Sequence, residues 1–240
     1  MKRYPFLSML LIAVFFALLS ASVIWFQSDT QVQTTKKPEQ IVPDISVEEK
    51  KAQFKATIVP AVNEVYNELL QQYQDVSERV QTDGDSDDLA ALRQLYKAAN
   101  NEELLIALKP HPQSIALAQA ALESSWATSR FFKEANNVFG VWSFKKDEPR
   151  IPAAKTRGDK TIWVKKYDSV KDSIRGYYRT LARGDAYAEF RTLKMETDNP
   201  YELVKKLDSY SEKGAEYGEE LSAIIRFNNF EEYDQPTIKL

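Results

Sequence analysis

Between Lys109 and Arg130 the chain carries a single charged residue, Glu123. It closes a run of small and apolar residues, Ala116, Leu117, Ala118, Ala120, Ala121 and Leu122. The run reads as a helix with Pro112 at its first turn. Such a small-sided helix packs closely on most faces. A carboxyl group there either reaches solvent at an exposed helix edge or is held where its charge is costly. In the second case burial favours the neutral form and raises the pKa. A carboxyl still protonated near neutral pH is the group that protonates a leaving glycosidic oxygen. Aromatic residues gather just after it: Trp126, Phe131, Phe132, Phe139, Trp142 and Phe144. Rings of this kind stack on sugar faces and exclude water from a cleft, or they pack a core. Asn136 and Asn137 add amide donors and acceptors that suit hydroxyl and acetamido groups.

Several elements must position these residues. Phe54, Ile58, Val62, Val65, Leu69, Tyr73, Val76 and Val80 recur at spacings of three and four, which is the apolar stripe of an amphipathic helix. Pro60 is expected to break or kink it. The stripe over residues 54–80 either packs on its own domain or offers a surface to a protein partner. Residues 82–86 form a turn. Leu89, Leu92, Leu95 and Tyr96 mark a second helix, and residues 104–108 a third that ends at Lys109-Pro110. After the aromatic cluster, residues 151–156 and 161–167 flank Arg157-Gly158-Asp159-Lys160 and read as a β-hairpin. Asp168-Ser169 caps a helix, with Asp172 three residues after the serine. Its stripe is Val170, Ile174, Tyr177, Tyr178 and Leu181, and Gly184 ends it. Asn199-Pro200 opens a further helix through Leu207.

Composition narrows the chemistry. The 240 residues carry a net charge of −3, so no basic footprint for nucleic acid exists. There is no cysteine, which excludes disulfides, thiolate metal sites and a cysteine nucleophile. The one histidine, His111, sits in a Pro-flanked turn and cannot build a His-rich metal site. No metal or cofactor is expected. Only 7 glycines among 240 residues favour helices over strand-rich structure.

Lys2 and Arg3 precede an uncharged, apolar run over residues 5–26. About 20 such residues span a bilayer, and the basic end stays in the cytoplasm. Residues 1–27 are therefore expected to be a single-pass anchor in a bacterial inner membrane, with the remainder in the periplasm. The alternative is a signal peptide cut near Ser20-Ala21-Ser22. Residues 28–46 read as a polar linker and 233–240 as a tail.

Leu117-Ala118-Gln119-Ala120-Ala121-Leu122-Glu123-Ser124-Ser125-Trp126-Ala127, then Ser129-Arg130-Phe131 and Asn136-Asn137-Val138-Phe139-Gly140, resemble the glucosaminidase family, glycoside hydrolase family 73, and most closely its bacterial Bax-type branch. The resemblance covers residues 112–230 well and the preceding helices, from about residue 47, loosely. It implies a mainly α, α+β fold: a lysozyme-like helical domain over 110–232 with a small β-hairpin lobe, and a helical region over 47–109 packed on it. The family's general acid falls on Glu123. Two glycines of the family pattern are Ser125 and Ala127 here, which adds bulk beside the acid. Tyr210 matches a family tyrosine near the scissile sugar and is, with Glu123, the catalytic candidate the resemblance implies. Tyr217, seven residues on, matches a second that is mainly structural. Trp126, Asn137, Phe139 and Trp142, with Tyr217 beside them, are the substrate-binding candidates.

The implied reaction is hydrolysis of the β-1,4 bond after N-acetylglucosamine in peptidoglycan glycan strands. The second catalytic group is open. Asp147, Glu148, Asp159 and Glu212 are nearby acids outside any recognisable motif, and the substrate's own acetamido group is the other possibility. A lytic transglycosylase and a non-catalytic wall-binding scaffold are the alternative functions.

Overall fold

The computed structural model describes residues 45–234 except 83, 85, 158 and 159. The expected anchor over 1–27, nearly all of the linker and tail, and Asp159 lie outside the described residues. Among the described residues, no helix is long and apolar enough to cross a membrane.

The first helix, α1 (Val47–Thr82), is 36 residues long and continues through Pro60, contrary to the expected break. Pro60 is exposed, so its missing N–H lies on the solvent side. Phe54, Ile58, Val62 and Val65, all fully buried, fix the inner face on both sides of it. That burial bears on the stripe over residues 54–80, most of whose N-terminal half packs on the protein's own core. Val76 of the stripe is buried as well, while Leu69, Tyr73 and Val80 are partly buried against the protein's own clusters.

Helices α2 (Asp87–Tyr96) and α3 (Asn101–Leu108) fold back against the C-terminal part of α1. They form a small second cluster with Val76, Leu89, Tyr96 and Leu104. Helix α4 (Gln113–Glu123) is the centre of the main core. Nine of its eleven residues, Gln113 to Ala121, are buried. Its alanines admit α1 on one side and the late helix α9 (Ala215–Asn228) on another. A short helix, α5 (Arg130–Ala135), follows, capped by Ser129, which accepts from the Phe132 N–H at 3.2 Å.

The hairpin is present as β1 (Arg150–Arg157) and β2 (Lys160–Lys165), antiparallel, with Arg150 opposite Lys165 and Arg157 opposite Lys160. Trp142 makes an isolated bridge to Val164, which ties the hairpin to the segment after Gly140. Helix α6 (Val170–Arg183) starts at the Ser169 cap, whose Oγ accepts from the Asp172 N–H. Helix α7 (Ala188–Glu196) carries no sequence signal noted above. The helix begun by Asn199-Pro200 is shorter than its pattern suggests. It is α8 (Pro200–Leu203), after which the chain tightens into 3-10 turns over Val204–Lys206 and Asp208–Tyr210. The result is a mainly helical protein with one two-stranded sheet.

Candidate active site

Glu123 is the last residue of α4. Its Oε1 accepts a hydrogen bond from the Tyr217 hydroxyl at 2.9 Å. The Tyr217 oxygen accepts from Gln119 Nε2 at 2.9 Å, and Gln119 Oε1 accepts from the Tyr177 hydroxyl at 2.5 Å. Gln119, Tyr177 and Tyr217 are all buried. Burial pushes the Glu123 carboxyl above the usual carboxylate range, Tyr217's donated bond opposes it, and Glu220 and Lys213 nearby pull in opposite directions. Burial likewise holds the Tyr217 hydroxyl far above its ordinary range, so it stays a donor.

Oε2 lies beside Gly140. Gly140 has φ +64°, and a Cβ placed on it would come to 3.9 Å from Glu123 Oε2. The backbone after Asn137 thus passes beside the carboxyl with no side chain between them. Glycine suits this position because a left-handed φ strains other residues.

The turn after α4 is built from three consecutive left-handed residues that are not glycine: Ser125 (φ 52°), Trp126 (φ 61°) and Ala127 (φ 62°). Hydrogen bonds hold it. The Trp126 N–H donates to Ala121 O at 2.8 Å, and Ser124 Oγ accepts from the Ala127 N–H at 2.7 Å. The two positions where the family pattern has glycine are both left-handed here. Their replacement therefore loads the backbone with strain as well as adding bulk.

The residues expected to bind substrate separate into distinct roles. Trp142 is 44% exposed and Phe144 84% exposed, with their rings 6.3 Å apart. They form the open aromatic surface of this region. Asn137 is a correction: it is buried, donates to Val141 O and Lys165 O, and accepts from the Val141 N–H. Both of its N–H groups and its carbonyl oxygen are engaged in tying the Gly140 segment to β2. Phe139 is another, since it is buried and stacks on Tyr177 at 4.0 Å. Trp126, partly buried, packs edge-on to Phe54 at 5.2 Å against the core, with the Lys51 ammonium over its ring. The two tyrosines exchange emphasis. Tyr217, expected to be mainly structural or to touch substrate, is buried and bonded to Glu123. Tyr210 stacks on Tyr217 at 5.7 Å, and its hydroxyl reaches Phe139 O at 3.5 Å.

Gln119 and Tyr177 were not singled out by chemistry in the sequence. The available signal was a Gln in the middle of an otherwise apolar helix, since a buried amide requires partners. Glu148 accepts from Ser143 Oγ at 2.8 Å and lies 3.6 Å from Lys165 Nζ. The serine bond, helped by the lysine, holds its carboxyl below the usual range. Among the described residues no group of three or more His, Asp or Glu could hold a metal ion. His111 is buried against Tyr178, with ring centroids 4.4 Å apart. A cavity of about 200 Å3 near it, lined among others by Leu69, Leu108, Tyr178 and Lys194, shares no lining residue with the Glu123 site.

Residues 98–230 match the glucosaminidase family, described as mannosyl-glycoprotein endo-beta-N-acetylglucosaminidase. The chain is 30% identical over 123 residues to Protein bax of Escherichia coli (strain K12), covering 49% of this chain and 43% of that protein. It is 29% identical over 135 residues to exo-glucosaminidase LytG of Bacillus subtilis (strain 168), covering 52% and 48%. The chain thus spans less than half the length of these curated relatives. Among solved structures, the catalytic domain of the autolysin Auto from Listeria monocytogenes aligns over 80% of this chain and 99% of that one, at 19% identity and a TM-score of 0.44. A peptidoglycan hydrolase from Sphingomonas sp. A1 aligns over 59% and 92%, at 18% identity and a TM-score of 0.43.

Proposed function

Because this chain belongs to the glucosaminidase family, we propose that it is a peptidoglycan hydrolase that cleaves the β-1,4 bond after N-acetylglucosamine, with Glu123 as the general acid. One observation carries the reading. The Glu at the end of the family motif is a part-buried carboxyl whose Oε1 is bonded to Tyr217 and whose Oε2 lies beside Gly140. Burial keeps it protonated to higher pH than an exposed glutamate, as proton donation to a leaving oxygen requires. Trp142 and Phe144 supply ring faces for the glycan.

The second half of the reaction needs either a base for water or an internal nucleophile. Glu148, held ionised by Ser143 and Lys165 next to Trp142, is the candidate base. The substrate's acetamido group is the candidate internal nucleophile. Loss of activity in Glu148→Gln favours the first, and full activity favours the second.

The same reading places the domain in the periplasm on an anchor over residues 5–26, supported by the uncharged apolar run behind Lys2 and Arg3. Retention in washed membranes is expected, and full release by an alkaline wash would count against it.

Products test the function directly. Purified protein incubated with sacculi should release fragments with N-acetylglucosamine at the new reducing end, identified by mass spectrometry. Anhydro-muramyl ends would assign a lytic transglycosylase instead. Binding to sacculi without release would assign a scaffold.

A further inference from the structure

The hydrogen bonds from Tyr177 to Glu123 form a chain with a direction. Tyr177 Oη donates to Gln119 Oε1, Gln119 Nε2 donates to the Tyr217 oxygen, and Tyr217 Oη donates to Glu123 Oε1. A neutral phenol has one proton to give. Because the Gln119 amide donates to Tyr217, the phenol proton is free to point at Glu123. If the amide were turned over, Gln119 would accept the Tyr217 proton instead. Glu123 would then have to be the donor, with its own proton on Oε1 and pointing inward.

The amide is held by its far end. Tyr177 is fully buried in α6, stacked on Phe139 at 4.0 Å, and its hydroxyl donates to Gln119 Oε1; with the amide turned over, that hydroxyl could accept from Nε2 but would lose the acceptor for its own proton. Gln119 is fully buried and lies one helical turn before Glu123, so both side chains share a face of α4. In a buried chain each bond polarises the next, so the far hydroxyl strengthens the last bond.

We propose that Gln119 and Tyr177 are positioning residues that fix the direction of the Tyr217–Glu123 hydrogen bond, holding Oε1 as an acceptor and placing the transferable proton on Oε2. Oε2 is the oxygen beside Gly140, a residue with no side chain of its own. The inference rests on Glu123 being the acid, but the hydrogen-bond direction is measurable without turnover.

The test uses Gln119→Met, which keeps the length and removes the amide, and Tyr177→Phe, which keeps the ring stacked on Phe139 and removes the hydroxyl. Tyr217→Phe is the reference. Two quantities are read: the titration of the Glu123 carboxyl carbon by NMR, and the alkaline limb of kcat/KM against pH. Loss of a donor to the carboxylate moves the titration to higher pH. The proposal expects the largest upward shift for Tyr217→Phe, a smaller one for Gln119→Met and the smallest for Tyr177→Phe. Tyr177→Phe should slow turnover by no more than about tenfold, equivalent to about 1.4 kcal/mol. A downward shift would mean that the chain runs the other way and would overturn the proposal. No shift in either variant would also overturn it. Should Gln119→Met fail to fold, Tyr177→Phe alone decides by the same signs. An upward titration shift with an unmoved activity limb would support the hydrogen-bond direction and sink the assignment of Glu123 as the acid.

Discussion

At the residue scale, Glu123 costs the fold stability at the pH where it works. Its folded pKa is raised by burial, so the unfolded chain holds fewer protons between the usual carboxylate range and that raised value. The stability it contributes is complete below the usual range and is lost as pH rises through the folded pKa. Glu123→Gln should therefore melt higher than the wild type at neutral pH, with the difference vanishing in acid. Equal melting temperatures at every pH would contradict the burial argument. The left-handed turn gives a second prediction. A left-handed residue other than glycine costs roughly 1–2 kcal/mol, so Ser125→Gly and Ala127→Gly should each stabilise by about 1 kcal/mol in chemical denaturation. The isolated charge in an apolar helix made Glu123 legible in the sequence. Asn137 and Phe139 were misread because a motif position does not say whether its side chain turns toward substrate or back to the protein. The strain at 125–127 was hidden because tryptophan and alanine do not mark a left-handed turn, and the glycines of the family pattern are replaced here.

At the element scale, α1 matters to the site although all of it precedes the matched residues. Phe54 reaches from α1 to Trp126 in the turn after Glu123 and to Phe230 near the end of the described chain. Phe54→Ala should cost about 3–5 kcal/mol, as truncation of a buried Phe does. It should also lower glycan cleavage by loosening the Trp126 turn. A truncation that melts normally and cleaves normally would show that α1 is dispensable. The helical period of α1, the hairpin and the Ser169 cap were readable because pattern and packing agree there. The break at Pro60 was not realised, since buried residues on both sides outweigh one missing bond at an exposed position. Helix α8 stopped short of Leu207, and α7 went unseen, because short helices owe more to their neighbours than to their own periodicity.

At the scale of the whole molecule, acid should loosen the fold through His111. Burial pushes its pKa from 6.5 down to about 3, so it is neutral in the fold. Between those values the unfolded chain takes up the proton, and stability falls as pH drops through that window. His111→Phe should flatten this loss, measured as melting temperature between pH 7 and pH 4 (roughly the upper part of that window). An unchanged slope would contradict it. The same core joins α1, α4, α6 and α9, so the Glu123 site is as rigid as the packing that holds it. The most direct test of the account is cleavage of purified peptidoglycan by Glu123→Gln beside the wild type, with folding of both checked by circular dichroism. Loss of a positioned general acid lowers the rate by about 10²–10⁴-fold, and the account predicts a loss of that size in a folded protein. Cleavage at the wild-type rate would contradict it.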